Sequence, residues 1–241
     1  MSPLTEPTRL TLAKTSYPDI RNGIVTSDLV LNLDAAQTAS YPGTGTTWTD
    51  LSGNGNNGTL VNGPTYSSAN GGAIVFDGFN DAAQCGNTIP PAGNFSIFAW
   101  IYPTSFNNEW NLIATKWFNP DDFHYSLRSN LANGTNLRQN LYTTSNSDIY
   151  GTTAFSTNTW YYVGFTLVNG GTLTFYKNAV ADGMVSSVSR SPQTSTLRIG
   201  DDRGLQYGLV GRIPQVSIYN RALTAAEVQQ NFNCLRMRYG L

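Results

Sequence analysis

An antiparallel all-β sandwich of two packed sheets is the fold this sequence predicts, and three observations predict it. Charged residues make up 12% of the 241-residue chain, about half the ~25% usual for a globular domain. The strong helix former Glu occurs only at Glu6, Glu109 and Glu227, while Thr, Tyr, Val, Ile, Phe and Trp, which suit a pleated half-buried surface, are common. Short apolar runs recur at close intervals between Gly, Asn, Asp and Pro turn signals, and ten or so strands at that spacing suggest two packed sheets.

The same numbers exclude whole classes of function. Net charge is −1 and the basic residues are scattered, so no patch neutralises phosphates and nucleic acid is not an expected partner. No run of about 18 apolar residues is present, so no membrane insertion is expected. The opening MSPLTEPTRL lacks a basic region followed by an apolar one, so no secretion signal is expected. Sandwiches run to ~200–250 residues as one unit, which predicts one domain over 25–241. Before it, residues 1–24 carry Pro3, Pro7 and Pro18 without an apolar period and read as an arm that packs on its own domain or on a neighbour. With so few charges, self-repulsion between copies is modest, and homo-oligomerisation is compatible with the composition.

Taken in order, Leu29, Leu31 and Leu33 share one face of a period-two run that ends at Asp34, the first strand. Pro42-Gly43, Asn54-Gly55, Asn57-Gly58 and Asn62-Gly63-Pro64 then punctuate a loop-rich stretch. Ala73 to Phe76 form a short strand stopped by Asp77-Gly78, and Phe95 to Tyr102, with large side chains on both faces, belong mid-sheet. Further strands are predicted at Asn111–Lys116, His124–Arg128, Leu137–Tyr142, Trp160–Val168, Leu173–Lys177, Leu197–Ile199 and Gln215–Tyr219. Asn178-Ala179, after the strand ending at Lys177, suits a two-residue type I′ turn less well than Asn-Gly does, which predicts a longer or irregular loop. One helix is signalled: Thr224 caps, Glu227 completes a capping box, Leu223 staples against Val228, and Gly240 closes the segment. Val228, Phe232 and Leu235 share a face, so the helix is expected against the sandwich edge near the first strand.

Four stretches together resemble the laminin-G-like branch of the concanavalin A-like lectin and glucanase superfamily. They are Leu29–Leu33 leading into Tyr41-Pro42-Gly43-Thr44-Gly45 and Trp48 to Gly58; Phe76-Asp77-Gly78 with Asn80-Asp81; Phe95 to Tyr102; and Gly211-Arg212-Ile213 through Ile218 to Leu223 with Glu227-Val228. The resemblance implies an antiparallel two-sheet jelly roll over about residues 25–241. With its dense Asn-Gly loop and the ending Asn220-Arg221-Ala222-Leu223-Thr224, the pattern is similar to domains of tailed-phage virion proteins. It thereby implies a non-enzymatic structural protein in the virion, a head-decoration or tail-fibre component whose arm binds other virion proteins and whose loops meet host glycans. The alternative is a free-standing carbohydrate-binding lectin. The glucanases of the superfamily place Glu, Asp and Glu on alternate residues of one strand, and no E-x-D-x-E stretch exists here, so no enzyme activity is expected.

Calcium is the one cofactor the sequence suggests, because hard cations take oxygen ligands and several relatives bind it. Asp50, Asn54, Asp77 and Asp81 are the candidate ligands, although Asp and Asn also populate turns by bonding their own backbone. For sugars the expected equipment is an aromatic platform among amides and carboxylates. Asn107, Asn108, Trp110, Trp117, Asp121, Asp122 and Tyr125 supply it in one segment, with Phe118 beside them, while core or interface packing is the other reading of Trp110 and Trp117. Trp48, Trp100 and Trp160 read as core. His124, the only histidine, reads as a partly exposed strand residue. Cys85 and Cys234 have no metal-ligand spacing and read as two thiols, a disulfide being the alternative.

Overall fold

The computed structural model describes residues 23–88, 93–106, 110–116, 123–129, 137–143, 146–190, 195–201 and 207–241. In chain order the strands are β1 (Leu29–Asp34), β2 (Thr47–Trp48), β3 (Gly58–Val61), β4 (Thr65–Ser67), β5 (Ala73–Asp77), β6 (Ala82–Gln84), β7 (Phe95–Ser105) and β8 (Trp110–Lys116). They continue with β9 (Phe123–Ser129), β10 (Leu137–Thr143), β11 (Asn146–Tyr150), β12 (Tyr161–Leu167), β13 (Gly171–Lys177), β14 (Val180–Val188), β15 (Arg198–Ile199) and β16 (Val210–Tyr219). Among the described residues one α-helix, α1 (Ala225–Leu235), runs into a 3-10 turn over Arg236–Tyr239.

Two eight-stranded antiparallel sheets result. The first has the order β14-β13-β12-β7-β16-β5-β4, and the second β11-β10-β9-β8-β15-β6-β3-β2. One edge of β16 is shared: its first half pairs with β5 and its second half, from Gln215 to Tyr219, with β1. Pro214, which has no N–H to give a ladder, sits at the change of partner, where the register against β7 also slips between Arg212 and Gln215.

Alternation along β7 explains why it lies centrally. Phe95, Ile97, Ala99 and Ile101 enter the core between the sheets, beside Trp48, Ile113, Tyr125 and Phe165. Phe98 and Trp100 instead point to the outer face of the first sheet and gather with Tyr162, Tyr176 and Tyr219. So much aromatic surface must be covered, and α1 covers it: Phe232 stacks on Trp100 at 5.6 Å between centroids, and Tyr239 reaches the same indole at 4.3 Å. The helix therefore lies across a sheet face and not at the edge, a correction that follows from the outward aromatics. Gly164 of β12 makes room for this layer, since a Cβ there would stand 2.3 Å from both the Ile97 carbonyl oxygen and the Phe98 ring.

The capping box at Thr224 and Glu227 forms, and Leu223 and Val228 are both buried in the aromatic layer. Trp48, Trp100 and Trp160 are core as expected, and Cys85 and Cys234 are not bridged. Two further expectations are corrected. The segment after β13 is a tight turn, not an irregular loop: Lys177 pairs directly with Val180, and Asn178 and Ala179 take φ of 51° and 64°. Asn178 makes this possible by bonding β12, its Oδ1 accepting from Tyr162 N at 2.9 Å and its N–H donating to Tyr162 O at 2.7 Å. His124 is buried, because the outward face of its strand is packed by neighbouring side chains.

A buried polar chain links the sheets. The Tyr125 hydroxyl donates to Gln139 Oε1 at 2.6 Å, and Gln139 Nε2 donates to Asp182 Oδ2 at 2.8 Å. Asp182 Oδ1 in turn accepts from Thr153 N at 2.8 Å.

Candidate functional site

With α1 laid over the first sheet, the outer face of β8–β11 in the second sheet is the one that carries no helix among the described residues. Its side chains follow from the period-two alternation of the strands. In β9, Tyr125 and Leu127 face the core, so His124, Ser126 and Arg128 face out; in β10, Leu141 faces in, so Arg138, Asn140 and Tyr142 face out. Strand register sets these in three rungs: Trp110 beside Arg128 and Arg138; Leu112 beside Ser126, Asn140 and Tyr150; Thr115 beside His124 and Tyr142.

Trp110 is half-buried and anchors an aromatic group. Its ring lies 5.6 Å from His124 and 6.2 Å, edge-on, from Tyr142. The Arg128 guanidinium sits 3.6 Å over the indole and is ion-paired with Asp148, whose other oxygen accepts from Asn140 Nδ2 at 3.3 Å. Arg138 lies 5.7 Å over Tyr150. At the floor, Ser126 and Asn140 are fully buried, and Ser126 Oγ and Asn140 Oδ1 have no hydrogen-bond partner among the described residues. Burial, reinforced by the Arg128 charge, pushes His124 down to about 4, so the ring is neutral near pH 7. The face thus combines aromatic planes with a held carboxylate and guanidinium, which is the equipment for gripping a polar ligand with apolar faces.

Of the sugar-binding candidates, Trp110 lies on this face. Tyr125 does not: it is fully buried between the sheets, bound to Gln139, and offers a ligand no surface. Asn107, Asn108, Trp117, Asp121 and Asp122, with Phe118, lie outside the described residues, as do arm residues 1–22. Sequence reasoning missed Arg128, Arg138, Asn140, Tyr142, Asp148 and Tyr150. The signal that reveals them is the polar half of the alternation, His-x-Ser-x-Arg in β9 and Arg-x-Asn-x-Tyr in β10.

The candidate calcium ligands Asp50, Asn54, Asp77 and Asp81 all make hydrogen bonds to nearby backbone. Asp50 Oδ1 accepts from the N–H of Asn32 at 2.8 Å and of Ser52 at 2.9 Å, and Oδ2 accepts from the Ser52 hydroxyl and Asn56 N. Asn54 Nδ2 donates to Leu29 O. Asp81 accepts from Asp77 N, and Asp77 from Phe79 N. These oxygens close two turns, and no three acidic, His or Cys side chains converge on a cation site among the described residues. The turn-forming tendency of Asp and Asn explains their density here.

Two sheets in this topology, one face under a helix and the other bearing an aromatic and polar surface, define a lectin-like β-sandwich. The profile described as the concanavalin A-like lectin/glucanases superfamily, of the laminin G type, matches residues 76–229, and the chain belongs to that family. No curated protein matches significantly. Among solved structures, the binding domain of Paraclostridial Mosquitocidal Protein 1 is similar at TM-score 0.64 and 19% identity, over 85% of this chain and 52% of that one. Domain 4 of AbnA, an extracellular arabinanase from Geobacillus stearothermophilus, in complex with arabinotriose, is similar at 0.64 and 17%, over 85% and 98%. A Trypanosoma rangeli sialidase in complex with sialic acid is similar at 0.64 and 16%, over 89% of this chain and 34% of that one. The chain thus spans about half of the first and a third of the third, and the likeness is one of fold.

Proposed function

We propose that this chain is a non-catalytic carbohydrate-binding module whose binding surface is the outer face of β8–β11. The observation that carries the reading is the half-buried Trp110 flanked by the Arg128–Asp148 pair, with Tyr142 edge-on beside it. A pyranose or furanose ring would lay its C–H face on Trp110 or Tyr142 and direct its hydroxyls to the Asp148 carboxylate and the Arg128 guanidinium. That a domain of the same fold was solved with arabinotriose supports the reading. Among the described residues no carboxylate pair enters it: Asp148 is held by Arg128, and Glu227 is held by Arg221 at the start of α1.

A glycan array followed by calorimetry on the best ligand tests this. Trp110→Ala is expected to weaken binding at least tenfold with the fold intact; full-strength binding by that variant would refute the assignment. Repeating the titration with EDTA tests a calcium requirement.

A second reading, a virion component of a tailed phage, is favoured by the Asn220-Arg221-Ala222-Leu223-Thr224 ending and its resemblance. Mass spectrometry of purified virions tests it, and absence of the protein from the particle would end it.

A further inference from the structure

On the opposite side of the sandwich, a cleft of about 330 Å³ opens between the outer face of the first sheet, the segment entering β1 and the last turn of α1. Its polar wall is made by Asn32 and Asp34 of β1 and Gln215 of β16. Leu31 and Leu33 face the core, so Asn32 and Asp34 face outward. Gln215 pairs across the strands with Asp34, and its Nε2 donates to Asn32 Oδ1 at 3.1 Å. That bond fixes the amide and leaves Gln215 Oε1 without a partner among the described residues, on a residue only 2% exposed. Ile24 and Leu235 supply apolar surface on the other side, and Cys234 lines the cleft beside them.

A buried unpartnered acceptor is costly, and native structures keep one where something satisfies it. The charge of the cleft limits what that is. Asp34 is already neutralised by Arg238, whose Nη1 donates to Oδ1 at 2.8 Å, and Oδ2 accepts from Gln37 Nε2 at 2.9 Å. An ion would therefore find no uncompensated charge here, whereas a neutral donor would complete Gln215. The volume is that of roughly ten waters at ~30 Å³ each, enough for one sugar ring or a comparable polyol.

We propose that this cleft is a second binding site, for a small neutral polyol of monosaccharide size that donates a hydroxyl to Gln215 Oε1 and rests its apolar side on Ile24 and Leu235. The site is independent of the face of β8–β11, so either assignment can fail alone.

Alkylation of Cys234 by iodoacetamide, followed by peptide mass spectrometry on the full chain, reads occupancy directly, with thermal melting in parallel. The probes are D-glucose, D-xylose and glycerol up to tens of millimolar. The expected result is a severalfold slowing of Cys234 alkylation and a rise in melting temperature with at least one probe. Both effects should persist in Trp110→Ala and vanish in Gln215→Leu. The empty Gln215→Leu protein should melt close to the parent, because the substitution removes the orphaned Gln215 Oε1 while taking the Nε2 donor from Asn32 Oδ1. No protection by any probe, or protection that survives Gln215→Leu, would overturn the proposal.

Discussion

Arg221 holds Glu227 with two parallel bonds, Nη1 to Oε2 at 2.8 Å and Nη2 to Oε1 at 2.6 Å, and the same carboxylate accepts from Thr224 N at 2.8 Å. One side chain thus closes the capping box of α1 and ties the helix to the end of β16. Pairing with Arg221, opposed by burial and assisted by the Thr224 bonds, holds the Glu227 carboxyl at about 2. A carboxyl lowered in the fold stabilises above its unfolded value and loses that contribution as pH falls from about 4.5 to about 2. Glu227→Gln is expected to cost about 1–2 kcal/mol at pH 7 and to flatten stability in that acid window, measured by urea melts across pH.

His124 acts in a higher window. Its folded value, lowered to about 4 by burial and the Arg128 charge, means that the unfolded chain takes up the proton first. Stability is then full above about 6.5 and declines as pH falls toward 4. His124→Gln should remove this slope while leaving the window of Glu227 in place. Glycan binding by the parent should be flat from pH 6 to 8.

Ala179 holds φ of 64° in a turn where glycine would sit without strain. Ala179→Gly is expected to stabilise by about 1 kcal/mol, or a rise of about 2–4 °C in melting temperature for a domain of this size. A fall would mean that the contact of its methyl with the aromatic layer outweighs the strain.

The Tyr125–Gln139–Asp182 chain is buried and hydrogen-bonded end to end. Asp182→Ala strands Gln139 Nε2 in the interior and frees Thr153 N to water, and is expected to cost about 1–3 kcal/mol. A double-mutant cycle with Gln139→Leu should show strong coupling, because the partner left unsatisfied in one variant is gone in the other.

Gly164→Ala drives a Cβ into the Phe98 ring and the Ile97 carbonyl. It should destabilise more than the ~1 kcal/mol typical of a substitution, with near-ultraviolet circular dichroism reporting the disturbed aromatic layer.

The sequence declared the sandwich because its strands carry strong apolar alternation and its turns carry Gly and Asn. The helix start was equally legible, since Thr224 and Glu227 interact over three residues. The resting place of the helix was not: it depends on Trp100 and Phe98 pointing away from the core, a long-range fact that a strand apolar on both faces does not reveal. Tyr125 was misassigned for a related reason, as an aromatic beside polar residues reads the same whether it faces in or out, and only the register of β9 against β8 and β10 decides. β11 and β14 escaped because Asn146–Tyr150 and Val180–Val188 are polar or exposed edge strands held by their neighbours.

The shared edge of β16 also dictates an order of events during synthesis. Leu31 pairs with Ile218, so β1 leaves the ribosome early and waits for nearly the whole domain before its partner emerges. Until Val210–Tyr219 is translated, the apolar faces of Leu31 and Leu33 and an open strand edge are available to other nascent chains. Products cut short before that strand should accumulate as aggregates and not as smaller domains, and slow elongation or a holding chaperone should raise the yield of native protein.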